Sequence, residues 1–258
     1  MSNKTPPTTS LCTHDASSIH VRGKNLCEEL IGQVSFTQML FLDVFGRLPS
    51  NTETTVLDAM MVTLMEHGLA PSAIATRLTY SSSPEAIQGA VAAGLLGAGS
   101  MMLGTLGKSA TLLQKIVDDD EGVEAAAMRE TRWHRENRVP VPGFGHPHHK
   151  PDDPRTLRLF ALAEELGLEG RYISACKVLG ACVDEVYGKH LTINASAAMG
   201  ALLSEINIPP ELMQGFAIVC RSGGLIAHIA EEMKNPTAWT MAAAADHSIP
   251  YQEQGEQL

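Results

Sequence analysis

Apolar residues recur at the helical period along most of this chain, and cap and breaker residues punctuate them. Ser50-Asn51-Thr52-Glu53 is a capping box. Behind it Val56, Leu57, Met60, Met61, Leu64 and Met65 share one helical face, and the helix stops at His67-Gly68. Upstream, 26–31 and 35–45 read as short helices, the second closed by Gly46 and Pro49. Pro71 opens a helix to Thr79, and Ser83-Pro84-Glu85 opens a long apolar one over 86–107. Helical spacing resumes over 112–137, with a solvated break at Asp118–Gly122, then over 156–166, 171–187, 194–206 and 213–230. Residues 1–17 read as a loose arm, Ile19–Gly23 as a short extended piece, and the chain beyond Trp239 as mixed. No strand pair or internal repeat is evident. The pattern predicts an all-α fold.

Composition agrees. Of the 258 residues 44% are hydrophobic and only 5% aromatic, so the core must be built from Ala, Leu, Ile, Val and Met. The net charge of −10 argues against a nucleic-acid surface. Five scattered cysteines without metal spacing, and a polar start without an apolar leader, point to a reducing, cytoplasmic setting. The stretch 86–107 lacks charge over 22 positions, the length of a membrane span. Six glycines and the absence of basic flanks favour a helix in a protein core instead. Along it Gly89, Ala93 and Gly97, and Ala90, Gly94 and Ala98, form faces a neighbour can approach closely.

Candidate chemistry concentrates in two places. From Pro142 to Arg155 the chain packs four prolines and two glycines into 14 residues, which forbids a helix and fixes a loop. That rigid loop carries His146, Lys150, Asp153 and Arg155: a proton donor or acceptor and a fork for carboxylate or phosphate. The second place is 213–230, an apolar helix bearing Arg221 and His228. A guanidinium on such a helix needs either a partner side chain or a bound anion. Taken singly, His67 is a histidine at a helix end and His228 a core histidine. His146, His148, His149, Asp152 and Asp153 could hold a metal by residue type, but the intervening prolines disturb local ligand geometry, so no metal is expected. Gly99-Ser100-Met101 lacks a nucleophile elbow, Gly97-Ala98-Gly99 lacks the third dinucleotide-binding glycine, and no phosphate loop occurs. A cavity of histidines and arginines for a small polycarboxylate remains.

At this point the residues resemble the citrate synthase superfamily, most closely its short citryl-CoA lyase-like members. The likeness runs from about Ile19 to Glu232. It rests on Val21-Arg22-Gly23 with Phe45-Gly46-Arg47-Leu48-Pro49, on Pro142-Gly143-Phe144-Gly145-His146 with Asp153-Pro154-Arg155, and on Phe216-Ala217-Ile218, Arg221, Gly224 and Ala227-His228. It implies a helical homodimer or higher oligomer, with the glycine-rich helix helping to form the dimer. The large domain would be 1–107 plus 212–258, and a small domain, 108–211, would close over the site. His67 would contact the keto acid, His146 would polarise its carbonyl, and Arg155, Arg221 and His228 would bind substrate. Val141, Pro142, Gly143, Phe144 and Gly145 would receive coenzyme A, which arrives as a thioester substrate; no tightly bound cofactor, nucleic acid or membrane is implied.

Two positions depart from the family. Ser100 stands where the enolate-stabilising histidine would fall, and Asn194, in Leu191-Thr192-Ile193-Asn194, replaces the aspartate base. The family's basic C-terminal segment is matched only by Lys234-Asn235-Pro236. A condensing enzyme needs that base, and its loss costs about 10²–10⁴ in rate. The resemblance therefore implies a carbon–carbon lyase cleaving citryl-CoA, or a related 3-hydroxyacyl-CoA, to acetyl-CoA and oxaloacetate or a related keto acid. His146 would take the hydroxyl proton, and Asn194 and Ser100 would hydrogen-bond the enolate. The alternatives are a condensing or thioester-hydrolysing enzyme with another acyl acceptor, and a non-catalytic dimer that binds a CoA ester.

Overall fold

The computed structural model describes residues 6–99, 103–168 and 170–252. The chain divides after Asp58 into two compact units.

The first unit opens with a three-stranded antiparallel meander: β1 Cys12–His14, β2 Ile19–Val21 and β3 Lys24–Asn25. The loose arm and the absence of strand pairs expected from sequence are thus corrected. Asp15 closes the β1–β2 turn by accepting the N–H groups of Ser17 (2.7 Å) and Ser18 (2.8 Å). Arg22 and Gly23, both at positive φ, make the two-residue β2–β3 turn. A wide helical turn follows over Leu26–Leu30, then α1, Phe36–Phe45, with a complete Ser35/Gln38 capping box. Val21, Leu30 and Leu42 form this unit's core. Helix α2, Asn51–Met65, begins in it behind the expected capping box: Ser50 N–H donates to Glu53 (2.7 Å), and Glu53 N–H to the Ser50 hydroxyl (3.1 Å).

The second unit is helical among the described residues. Its elements are the end of α2, α3 Pro71–Ser82, α4 Ile87–Leu96, α5 Thr105–Val117, α6 Val123–Glu136, α7 Pro154–Glu165, α8 Arg171–Tyr187, α9 Ala195–Glu205, α10 Pro210–Glu232 and α11 Ala238–Ser248. Two expectations fail. The apolar run 86–107 is not one helix: α4 ends at Leu96, Leu103 has φ 66°, and α5 starts at Thr105. The close approach predicted for its small face does occur, between Ala90 and Gly94 and helix α3. Among the described residues, the tail beyond Trp239 is not mixed but helical as far as Ser248, as α11.

Helix α9 is the centre of this unit. Ala195, Ala197, Ala198, Met199, Ala201, Leu202 and Leu203 are all buried, and α5, α7, α8 and α10 pack around it. Alanines lose no side-chain entropy on burial and let those helices approach closely. Helix α10 is long and apolar enough to cross a membrane, but half its residues are buried and its buried face carries Arg221, His228 and Glu232. That pattern belongs to a core helix.

Candidate active site

The loop between α6 and α7 is held by backbone pairing. Asn194 N–H donates to Gly143 O (3.0 Å), and Gly145 N–H to Thr192 O (2.7 Å). Gly143 must be glycine: it has φ 86°, and a Cβ there would sit 2.6 Å from the Ala197 methyl. Thr192 ties the far side of the loop through its hydroxyl to Pro151 O (2.6 Å). This pairing consumes groups expected to receive coenzyme A. Gly143 O, Gly145 N and Gly145 O all bond within the protein, and Phe144 N–H donates to Val141 O. Next to this segment, Val139 and Pro142 line a surface cavity of ≈ 580 Å³ with Lys108, half-exposed Trp133 and Gln214.

His146 stands at the loop's apex, and its tautomer follows from its neighbours. Nδ1 accepts the backbone N–H groups of His148 (3.1 Å) and His149 (3.0 Å). A neutral ring bonded so carries its proton on Nε2. Arg155 Nη2, also a donor, lies 3.4 Å from Nε2. Two donors side by side suit one shared acceptor oxygen. The expectation that His146 takes a proton at its cavity-facing nitrogen is therefore corrected: that nitrogen donates. Burial, His149 and Arg155 all push the His146 pKa down, which keeps the ring neutral.

Asp153 sets Arg155. It is fully buried, caps α7 by accepting Arg155 N–H (3.0 Å), and grips the guanidinium at Nε (3.0 Å) and Nη2 (2.8 Å). It also accepts Ala195 N–H (3.1 Å), joining the starts of α7 and α9. Burial alone would raise its pKa; the bonds from Arg155 and Ala195 outweigh that and hold the carboxyl low.

These groups meet in a cavity of ≈ 190 Å³ lined by His67, His146, Arg155, Asn194 and Arg221, with Thr63, Leu64, Ala70, Leu103, Ala195 and Ser196. His67 comes from the turn after α2, Arg221 from α10, His146 from the α6–α7 loop, Arg155 from the start of α7 and Asn194 from the cap of α9. Arg221 is 4% exposed, and its Nε and Nη1 have no hydrogen-bond partner among the described residues. A buried guanidinium left so costs several kcal/mol, on the order of 3–5 for a pair that has lost its partner. An anion in the cavity removes that cost. His67 is pushed to a lowered pKa by burial, then by Arg155, His149 and Arg221.

His228, expected at the substrate, is not in the cavity. It lies behind it, between Arg77 Nε (2.9 Å) and Glu66 (3.0 Å). Ser100 falls outside the described residues. Asn194 lines the cavity but has structural duties: it caps α9 by accepting Ser196 N–H (2.9 Å) and donates to Gly145 O (2.9 Å). Sequence reasoning missed Arg77 altogether and met His149 only as a metal candidate. His149 stacks on His146 with centroids 4.4 Å apart. The ring nitrogens of His67, His146 and His149 lie within 4.8 Å of one another, close enough for a metal. The cationic Arg155 and Arg221 that disfavour a proton on these rings disfavour a divalent cation equally, and His146 Nδ1 is already engaged. The arrangement suits an anion better than a cation.

The family described as citrate synthase, C-terminal domain, matches residues 8–240. The chain belongs to this family. Along 97% of its length it superposes on the structure of citryl-CoA lyase from Hydrogenobacter thermophilus, covering 96% of that chain at TM-score 0.85 and 30% identity. The ATP citrate lyase of Methanothrix soehngenii, solved with citrate and coenzyme A, shares the fold at TM-score 0.78 and 17% identity, over 99% of this chain and 43% of that one. The citrate synthase of Haloferax volcanii is 26% identical over 201 residues, 74% of this chain and 49% of that protein. The chain spans about half the length of the curated relatives it matches. Its fold is the helical citrate synthase-like one.

Proposed function

We propose that this protein cleaves citryl-CoA, or a closely related 3-hydroxyacyl-CoA, to acetyl-CoA and oxaloacetate or a related keto acid. The observation that carries this is Arg221, buried with two unpartnered donors on a cavity shared with Arg155, His67 and the Nε2–H of His146. Such a set takes the carboxylates and the reacting oxygen of a hydroxy or keto polyacid. End-to-end likeness to a citryl-CoA lyase supports the choice of reaction.

The step balances as follows. The bond between the carbinol carbon and the thioester methylene breaks, and its electron pair passes into the thioester as an enolate. The hydroxyl oxygen becomes the keto oxygen, stabilised by His146 Nε2–H and Arg155. Neutral His67 takes the hydroxyl proton and returns it to water. The enolate carbon gains a proton from water, giving the acetyl methyl. Asn194 has a second amide hydrogen beyond the one given to Gly145, and we assign it to the enolate oxygen. Ser100 keeps the same role as a proposal.

Coenzyme A then enters as part of the substrate, not as a resident cofactor. The Trp133–Lys108 cavity, which Pro142 also lines beside the internally paired 143–145 backbone, suits its aromatic and phosphate end. Leu103 lines the inner cavity, and Gly104, next along the chain, lines this outer one. We read residues 108–211 as a domain that closes over the cavity; in support, His146, Arg155 and Asn194 lie within that range and His67 and Arg221 outside it. Exposed Leu96 and Trp239 support a homodimer or higher oligomer, which light scattering would read directly. Five free cysteines support a cytoplasmic setting.

Citryl-CoA in one reaction, and acetyl-CoA with oxaloacetate in another, followed by mass spectrometry, test the proposal. Rapid cleavage with negligible condensation is expected. No turnover of citryl-CoA, or condensation faster than cleavage, overturns it.

A further inference from the structure

Arg77 is a charged side chain only 2% exposed, on a helix that contributes nothing to the cavity wall, and every partner recorded for it lies at least 150 residues along the chain. Its Nη1 donates to Glu232 (2.9 Å), its Nη2 to Glu231, and its Nε to His228 Nδ1 (2.9 Å). Glu232 is itself tied by the hydroxyl and N–H of Thr237 and the N–H of Ala238 (2.6, 2.6 and 2.8 Å), so this end is anchored to the start of α11. An arginine Nε can only donate, so His228 Nδ1 accepts and the ring proton sits on Nε2. That proton points at the Glu66 carboxylate, 3.0 Å away.

Glu66 completes the line. Its carboxylate accepts the backbone N–H of His67 (2.8 Å) and of Gly68 (2.6 Å). Those are the two residues of the turn that follows α2, with Gly68 at φ 68°. The turn is also pressed against α10 without a gap: a Cβ on Gly224 would fall 1.9 Å from Met65 O. Each member of the line has one donor–acceptor pattern that satisfies its neighbours, and the last member holds the backbone of a cavity residue.

We propose that Arg77, His228 and Glu66 are positioning residues: a polar chain from the α3–α10 interface that fixes the His67 turn and so sets the aim of the His67 ring into the cavity. This rests on reading the cavity as the keto-acid site, but its structural half can be tested without any ligand. His228 acts through His67 and touches no substrate. The groups facing His67 are Arg155, His146, His149, Asp153 and Arg221, and of those that shift its pKa Asp153 alone raises it.

The experiment has two readouts on the wild type, His228→Gln, His228→Ala, His67→Ala and the double alanine variant. The first is histidine-selective NMR, the His67 ring signal being assigned by its loss in His67→Ala. In His228→Ala the freed turn should let the ring, already exposed at the cavity rim, swing away from Arg155, His149 and Arg221, and its pKa should rise toward the ordinary 6.5. His228→Gln, whose amide can accept from Arg77 and donate to Glu66, should keep the wild-type titration. The second is calorimetry with oxaloacetate. His67→Ala and His228→Ala should each weaken binding about tenfold or more, and the double variant should bind no worse than His67→Ala alone, because both changes remove one thing. Unaltered His67 titration in His228→Ala, or losses that simply add in the double variant, overturns the proposal. Wild type that fails to bind oxaloacetate, while His67 still answers to His228, would sink the keto-acid reading and leave the positioning chain standing.

Discussion

Arg221 shows most plainly how one side chain trades stability for binding. Its guanidinium is buried with Nε and Nη1 unpartnered among the described residues, a net cost to the folded chain on its own. Arg221→Met keeps the length and removes the charge. It should leave the chain as stable or raise stability by about 1–4 kcal/mol in denaturant titration. The same change should weaken oxaloacetate binding on the order of 10²-fold or more, the scale of losing one desolvated charged contact. A variant that lost stability and kept affinity would show that Arg221 serves the core instead. At this scale the sequence was informative where chemistry is local. His146, Asp153 and Arg155 lie within ten residues, and proline-locked geometry delivers His146 and Arg155 to one cavity with Asp153 gripping Arg155 from behind. His228, taken singly, read as a core histidine; the family resemblance gave it a substrate role that the structure does not bear out. The partner that claims it, Arg77, is 151 residues away and leaves no trace in local pattern.

Among the elements, α10 matters most because it both carries Arg221 and abuts the end of α2. Gly224→Ala places a methyl 1.9 Å from Met65 O, so a helix must shift. The expected cost is about 1–3 kcal/mol in a denaturant melt, together with weaker keto-acid binding as the His67 turn moves. Gly223→Ala is the control: its methyl meets only the Met65 side chain, at 3.5 Å or beyond, and both properties should stay near wild type. Helices with caps and regular apolar spacing were legible: α1, α2, α7, α8 and α9 lie close to where the pattern puts them. The missed elements carry weak signals. Strands of two or three residues give too few alternations to register as period two. The break after α4 lies in an apolar run without proline or charge, where glycines permit a helix and permit its interruption equally.

For the whole molecule, protonation links stability and chemistry. His67 and His146 have lowered pKa values in the fold, so the unfolded chain binds protons more readily. Their contribution is present above the ordinary 6.5 and is lost as pH falls below it. Glu232 adds a second stage. Burial would raise its pKa, but Thr237, Arg77 and two backbone N–H groups hold it at about 2, so its contribution fades as pH drops from 4.5 toward that value. His190, raised by Asp184 and Asp152, works oppositely and loses its contribution as pH rises through its folded pKa above 6.5. Thermal melts across pH should therefore fall in acid in two stages. The acid limb of cleavage should have its midpoint below 6.5, since His67 must be neutral to accept a proton. A limb centred at or above 6.5 would exclude His67 as the acceptor.

Asn194 bears on how such a protein can change over generations. Its amide is woven into the scaffold from both ends, accepting from Ser196 and donating to the Gly145 carbonyl. Aspartate, which a condensing ancestor or descendant would need as its base, keeps the first bond and sets a carboxylate oxygen against a carbonyl in place of the second. The single-codon exchange between the two residues is therefore not a free step between breaking and making the same bond. It removes one of the bonds that hold the loop carrying His146 and sets two oxygens face to face there, so the loop must shift locally for aspartate to be accommodated.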